Sequence, residues 1–228
     1  MVSEEYHLFL AAAYIRGLLQ DTQIPVSPLV EALVRKPFSE LSPTEQQVLL
    51  QEGIERQLPE LAWFKQTPTP AIFQKILTLL NGIRPDNMLE VGFDYLQFTI
   101  CWLRHFRYLS AAITEASPRH LAVAYALQKG GMGFLQIQET APQNIFSPHQ
   151  QFDVVIALDL SRKTVCVEQS VITLCKTAKR FAIFTFPLHS LRRIVPSETD
   201  IKTWLQQADV PYVKMEKVDN RLLVIARR

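Results

Sequence analysis

Three short apolar runs between Met88 and Leu160 constrain this chain more than anything else in it. The first, Met-Leu-Glu-Val-Gly-Phe from Met88, is too short for a helix, is rich in branched and aliphatic side chains, and turns at Gly92, so it reads as a buried parallel strand. The second, Leu109 to Thr114, ends at Glu115, and Ser117-Pro118 then opens an Ala-rich apolar stretch to Leu127 that reads as a helix with proline in its first turn. The third, Phe152 to Leu160, is another buried strand with Asp159 near its end. Strand, helix, strand in this order is a right-handed parallel unit. Open sheets built from such units bind ligands just outside the carboxyl ends of their strands. Gly92, Asp94, Glu115 and Asp159 all fall there.

The rest of the chain frames that segment. Phe134 to Gln138 reads as a further strand, followed by Glu139-Thr140-Ala141, and Arg180 to Phe186 as another, followed by Pro187-Leu-His189. Val165 to Thr177 is a helix, and Gln97 to Tyr108, with Phe98, Ile100, Trp102, Leu103 and Phe106, is a helix that packs on the sheet. Ser197 with Asp200 three residues on starts a last helix as a capping pair. Tyr212 to Val218 and Arg221 to Ala226, joined at Asp219-Asn220, form a closing hairpin. Residues 1 to about 80 read as helical: an apolar stripe from Tyr6 to Leu19 stopped by Pro25 and Pro28, a short helix to Val34, and a helix that the capping box Ser42-Pro43-Thr44-Glu45 starts and that runs toward Leu58. A break at Thr67-Pro-Thr-Pro70 precedes a helix from Ile72 to Leu80. Two regions follow, a helical extension over residues 1–83, either a cap on a sheet edge or a substrate-selecting lid, and a sheet domain over 84–228.

Composition narrows the function classes. A chain of 228 residues, 48% hydrophobic and 20% charged, is that of a soluble globular protein. Lys and Arg number 24 against 22 acids, a net of +2, which makes no global electrostatic case for nucleic acid. Met1 to Ala13 lacks the basic start of a signal peptide, and no apolar run approaches the ~20 residues that span a bilayer, so a cytoplasmic protein without membrane attachment is expected. The three cysteines, Cys101, Cys166 and Cys175, have no metal-ligand spacing and are expected to be free thiols serving as small core hydrophobes. With 7 glycines the chain has about half the ~7% average frequency. The one cluster, Gly130, Gly131 and Gly133, sits where it would end a helix.

Three motifs carry a family resemblance. Glu90-Val-Gly92-Phe-Asp94-Tyr-Leu96, the segment Glu115-Ala-Ser-Pro-Arg-His-Leu-Ala-Val-Ala124, and Phe152-Asp153-Val-Val together resemble the class I S-adenosylmethionine-dependent methyltransferases. The resemblance covers roughly residues 84–228. It implies an α/β, Rossmann-like sheet of seven mostly parallel strands with an antiparallel C-terminal hairpin, and S-adenosylmethionine as cofactor. Residue by residue it implies that Glu115 holds the ribose hydroxyls and Ala116 lies beside it. It further implies that Glu90, Gly92 and Asp94 form the cofactor loop and that Glu139 and Thr140 meet the adenine. Trp63-Phe64-Lys65-Gln66-Thr67 resembles a segment of a bacterial methyltransferase subgroup and places Lys65 toward the cofactor carboxylate. Where the family loop carries its second and third glycines this chain has Asp94 and Leu96, side chains where the family lets bare backbone approach its ligand.

Methyl transfer from a sulfonium is a direct displacement that needs alignment and sometimes a base. Asp159 and His189, at adjacent strand ends, are the groups available for that role, and no metal site is indicated. Two readings follow. One is a methyltransferase acting on a small molecule or other unidentified acceptor; the other is a non-catalytic methyltransferase fold, its loop filled by Tyr95 and Leu96, that serves as a binding or scaffolding subunit for a protein partner. A dinucleotide oxidoreductase ranks below both, because the loop lacks the glycines for a pyrophosphate as well.

Overall fold

The computed structural model describes residues 4–20, 27–37, 40–52, 71–92, 110–133, 135–145, 152–189 and 195–228. Within these the chain forms two compact units.

The larger unit holds the sheet. Its strands are β1 (Asn87–Val91), β2 (Ser110–Glu115), β3 (Leu135–Glu139), β4 (Phe152–Ala157), β5 (Ala178–Pro187), β6 (Tyr212–Val218) and β7 (Arg221–Arg227), in the spatial order β3-β2-β1-β4-β5-β7-β6. β1 runs parallel to both β2 and β4, and β4 parallel to β5. β7 is antiparallel to β5 and β6, so the chain ends in the expected hairpin. Its turn is tight because Asp219 adopts φ +52, a left-handed conformation that a short polar side chain tolerates. The seven mostly parallel strands and the hairpin match the architecture that the family resemblance implied.

Both faces of the sheet are covered, which is why β4 reads as an unbroken apolar run: all six of its residues are buried. On one face Leu89, Val155, Ala157 and Phe184 pack with Val171, Leu174 and Cys175 of a helix over Val167–Thr177 and with Ile201 and Leu205 of a helix over Glu198–Gln207. On the other, Ile72, Phe73, Ile76, Leu80 and Ile83 of a helix over Ala71–Ile83 pack on Met88, Val154, Ile156 and Ile183. This helix forms one compact unit with the sheet. The sheet unit therefore begins at Pro70, not at residue 84, because the apolar stripe of Ala71–Ile83 is buried against β1 and β4.

At the amino end of the sheet, Asp153 of the Phe-Asp pair is buried and its Oδ2 accepts from the Asp86 N–H at 2.8 Å, tying the entry of β1 to β4. The helix over Glu198–Gln207 carries the predicted capping box, Ser197 to Asp200, and the Ser197 hydroxyl and N–H hold the Asp200 carboxyl below its ordinary pKa.

The smaller unit joins the N-terminal helices with the helix that follows β2. In chain order the helices of the whole protein are α1 (Glu4–Gln20), α2 (Pro28–Val34), α3 (Pro43–Leu50), α4 (Ala71–Ile83), α5 (Pro118–Lys129), α6 (Leu160–Lys163), α7 (Val167–Thr177) and α8 (Glu198–Gln207) among the described residues. α3 has the full capping box at Ser42 and Glu45, as its sequence requires. α1 and α5 touch backbone to backbone. A β-carbon added at Gly17 would lie 2.7 Å from the Cα of Ala126, and one at Gly130 would lie 2.8 Å from the Gly17 nitrogen. Gly130 thus does more than follow the end of α5. The Arg16 guanidinium donates to the Val34 carbonyl at 2.8 Å, and the Gln20 amide to that of Lys129 at 3.1 Å. No helix among the described residues is long and apolar enough to cross a membrane.

Cys101 lies outside the described residues, and the other two cysteines divide. Cys175 is buried in α7, as a core thiol should be, and burial pushes its pKa up to about 12. Cys166 is exposed ahead of α7, against the expectation of a core position. A raised thiol pKa leaves almost no thiolate at pH 8, and the thiolate is the reactive form. Iodoacetamide at pH 8 is therefore expected to alkylate Cys166 in the native protein and Cys175 only after unfolding, as read by peptide mass spectrometry.

Candidate active site at the carboxyl ends of the strands

Leaving β1, the chain builds β2 and β3 to one side, and then β4 and β5 to the other. The carboxyl ends of β1 and β4 therefore flank the switch point at which an open α/β sheet leaves a crevice. Gly92 stands at the end of β1 with φ +82, a conformation that favours glycine, and its N–H donates to the Thr114 carbonyl at 2.8 Å. That bond sets the β1 turn beside the end of β2. There the Oε1 of Glu115 accepts from the N–H groups of Ala116 and Ser117, each at 2.8 Å. One carboxylate oxygen thus shapes the turn that leads from β2 toward the next helix.

Glu90 is buried, with 2% of its surface exposed, on the α4 side of the sheet next to Ile113 and Ile156. On β2, opposite Val91, Thr114 is buried and its hydroxyl has no hydrogen-bond partner among the described residues. Glu139 is exposed at the last position of β3, and the N–H of Thr140 turns back to the Gln138 carbonyl at 2.9 Å. Lys65 and Asp94 lie outside the described residues, as does the helix expected over Gln97 to Tyr108.

The two groups read as candidate bases differ in setting. β4 stops at Ala157, three residues before the apolar run does, because Asp159 takes φ +47 and leads into α6. The Asp159 carboxylate is 2% exposed and held by a bidentate ion pair: Arg221 Nε donates to Oδ1 at 2.8 Å and Nη2 to Oδ2 at 3.0 Å. The Asp159 N–H donates to the Thr185 hydroxyl at 2.8 Å. Asp159 is thereby fastened to β5 and to the start of β7. His189 is exposed just beyond β5. The structure brings Gly92, Glu115 and Ala116 together at adjoining strand ends, and it ties Asp159 away from solvent.

Two residues of this region carry no sequence signal. Arg221 looks like the polar end of a hairpin strand. Lys163 looks like a surface residue of a short helix, yet its Nζ donates to the Val91 carbonyl at 2.8 Å, reaching from α6 across to β1. A β-carbon on Gly92 would come within 2.7 Å of Lys163 Cδ and 2.9 Å of its Cε. The lysine stem therefore lies on the bare face of the glycine. No metal-binding group of His, Cys, Asp and Glu occurs among the described residues.

Solved structures share this fold. A magnesium protoporphyrin IX methyltransferase from Synechocystis, solved with S-adenosylmethionine bound, is similar over 83% of this chain and 86% of its own, with a TM-score of 0.53 at 12% identity. An O-methyltransferase family protein from Burkholderia thailandensis is similar over 88% and 67%, with a TM-score of 0.53 at 12% identity. The chain has the fold of the class I methyltransferases. An N-methyltransferase from Bradyrhizobium japonicum, solved with S-adenosylhomocysteine, shares that fold over 76% of this chain and 97% of its own, with a TM-score of 0.50 at 16% identity. No family model and no curated protein matches the sequence.

Proposed function

We propose that this protein binds an S-adenosyl ligand at the carboxyl ends of β1 and β2 and belongs functionally with the S-adenosylmethionine-dependent methyltransferases. The observation that carries this reading is the pairing of Gly92, left-handed and bonded to Thr114, with the Glu115 carboxylate at the next strand end. A bare backbone beside an acid at a switch point suits a nucleoside whose ribose presents two hydroxyls. In this reading Glu115 accepts the ribose hydroxyls, Gly92 and Ala116 border the nucleoside, Glu90 supports the loop from within β1, and Glu139 with Thr140 borders the adenine. Lys65 and Asp94 are assigned to the methionine end of the ligand. S-adenosylmethionine, when bound, supplies a methyl group on a sulfonium for direct displacement. His189 is the exposed group at these strand ends suited to accept a proton. Asp159, paired with Arg221, is assigned a positioning role on the β4 side of the crevice. The methyl acceptor is a separate molecule, of small-molecule or macromolecular class.

The test is calorimetric titration with S-adenosylmethionine and S-adenosylhomocysteine. Hydrogen bonds to a charged group contribute about 1.5–3 kcal/mol, so Glu115→Ala is expected to weaken binding roughly ten- to hundredfold. Glu115→Gln keeps a carbonyl oxygen for the Ala116 and Ser117 N–H groups, and separates loss of the turn from loss of the carboxylate. Saturable binding that is weakened in both variants supports the reading; absence of binding by the unaltered protein at millimolar ligand removes it and favours the scaffolding alternative.

A further inference from the structure

We infer that β6 is a self-pairing edge: two copies of this chain join antiparallel along Tyr212–Val218 about a two-fold axis at Met215, setting Lys214 of each copy opposite Glu216 of the other. The inference is independent of the adenosyl-binding reading and concerns the hairpin end of the sheet.

Three features of the strand meet here. The first is an open edge. β6 lies beyond β7 at the end of the sheet, and among the described residues no strand pairs with its outer side. In a hairpin with a two-residue turn the residues beside the turn, here Val218 and Arg221, exchange backbone bonds, and bonded and non-bonded pairs then alternate along the ladder. Tyr212, Lys214, Glu216 and Val218 thus turn their backbone groups toward β7, while Val213, Met215 and Lys217 turn theirs outward. Such a row is a template for another strand. The edge also carries apolar surface, with Tyr212 67% and Val213 39% exposed.

The second feature is length. Pro211 has no N–H to give and Asp219 begins the turn, so the strand can pair only between them. Its seven residues meet their own copy in full in one antiparallel register, the one centred on Met215. The third is charge. In that register Tyr212 faces Val218, Val213 faces Lys217 and Lys214 faces Glu216, each pairing occurring on both sides of the axis. Opposite charges directly across a ladder attract and like charges repel. Lys214 and Glu216 fall in a non-bonded pair, where facing side chains stand closer. Moving the axis to Lys214 sets two lysines against each other, and moving it to Glu216 sets two carboxylates together. Length and charge therefore choose the same register. Lysine on an edge strand ordinarily deters pairing, and this register is the one that compensates Lys214. Within one copy the Glu216 carboxylate already draws Lys75 of α4 and Lys214, the latter 3.6 Å away, so acid and lysine share one face of the strand. Lys217, on the opposite face, keeps Glu198 of α8 at 3.7 Å.

The experiment is sedimentation velocity of the full chain over a concentration series, alongside Lys214→Glu and Glu216→Lys, with thermal melting to show that each protein is folded. The unaltered chain is expected to sediment as a dimer in equilibrium with monomer. Either variant turns both cross-strand pairs from attraction to repulsion and is expected to raise the dimer dissociation constant about tenfold or more. Mixed in equal amounts, the two variants are expected to regain the dimer, because in the mixed pair every introduced charge meets its opposite. Glu216→Gln removes the attraction without adding repulsion and is expected to weaken the dimer less than Lys214→Glu does. An unaltered chain that stays monomeric at every concentration overturns the inference. A dimer that both charge reversals leave unchanged also overturns it and places the contact elsewhere. A mixture no more dimeric than its components, or a Glu216→Gln effect larger than that of Lys214→Glu, overturns the register.

Discussion

Replacing Arg221 by methionine is expected to destabilise the fold by about 3 kcal/mol, lowering Tm by roughly 6–12 °C for a domain of this size. The reason is asymmetric. Asp159 is 2% exposed, and Arg221 donates two charge-assisted bonds to it from a position 29% exposed. Removing the guanidinium takes a bidentate partner from a buried carboxylate; the Arg162 guanidinium, at 3.7 Å and itself mostly in solvent, is a weaker substitute. Breaking a buried pair from one side costs about 3–5 kcal/mol, far more than the pair itself is worth; the partial exposure of Arg221 sets the expectation at the low end. Asp159→Asn combined with Arg221→Met should recover much of the loss, since asparagine carries no charge and tolerates the left-handed backbone at φ +47. Urea unfolding of the two single variants and the double variant measures this coupling directly. An Arg221→Met protein within 1 kcal/mol of the unaltered one (the scale of an ordinary surface pair) would show that the pair does not fasten β4 to the hairpin.

That pair also shows what a sequence of this kind discloses and what it withholds. The apolar runs at 88, 109 and 152 were legible because a strand buried on both faces has no choice but to be continuously apolar, and the capping residues Ser42 and Ser197 because their bonds are local. The end of β4 was not legible. Leu158 and Leu160 are as buried as the strand that precedes them, so the run extends through a turn without any change of composition. Arg221 lies 62 residues from Asp159, and nothing in its neighbourhood distinguishes it from the other basic residues of the hairpin.

The candidate site divides along the same line. Gly92 was legible as a turn glycine and Glu115 as a strand-end acid because such residues leave local marks, and the bonds Gly92 to Thr114 and Glu115 to Ala116 are short in sequence or run between neighbouring strands. Lys163 left no mark because its bond to Val91 depends on α6 projecting back over β1, a consequence of the strand order and not of any motif. The division of the chain was misplaced for a related reason. Proline-rich residues 67–70 mark a break, but whether the following stripe serves the sheet or the helices before it is decided by the partner surface, here Met88, Val154 and Ile156.

Gly17→Ala is expected to destabilise the protein by about 2–3 kcal/mol, although glycine-to-alanine exchange inside a helix ordinarily stabilises by roughly 0.5–1 kcal/mol. The sign is what identifies the packing. An added methyl at Gly17 meets the Ala126 backbone, with Cα at 2.7 Å, and backbone cannot turn aside as a side chain can. α1 and α5 would have to separate, loosening the contacts of Ala13 and Leu18 on α1 and of Ala126 and Leu127 on α5, all of which are buried. Gly130→Ala, facing the backbone of Ala13 and Gly17, should act in the same direction. Gly82 provides the contrast. It lies in the last turn of α4, and nothing stands within 4 Å of where its β-carbon would be. Gly82→Ala is expected to stabilise by about 0.5–1 kcal/mol through the lost freedom of the unfolded chain. Urea midpoints of the three variants measured side by side separate close helix contact from helix propensity: opposite signs for positions 17 and 82 require the contact, and equal stabilisation at both would mean that α1 and α5 do not pack backbone to backbone.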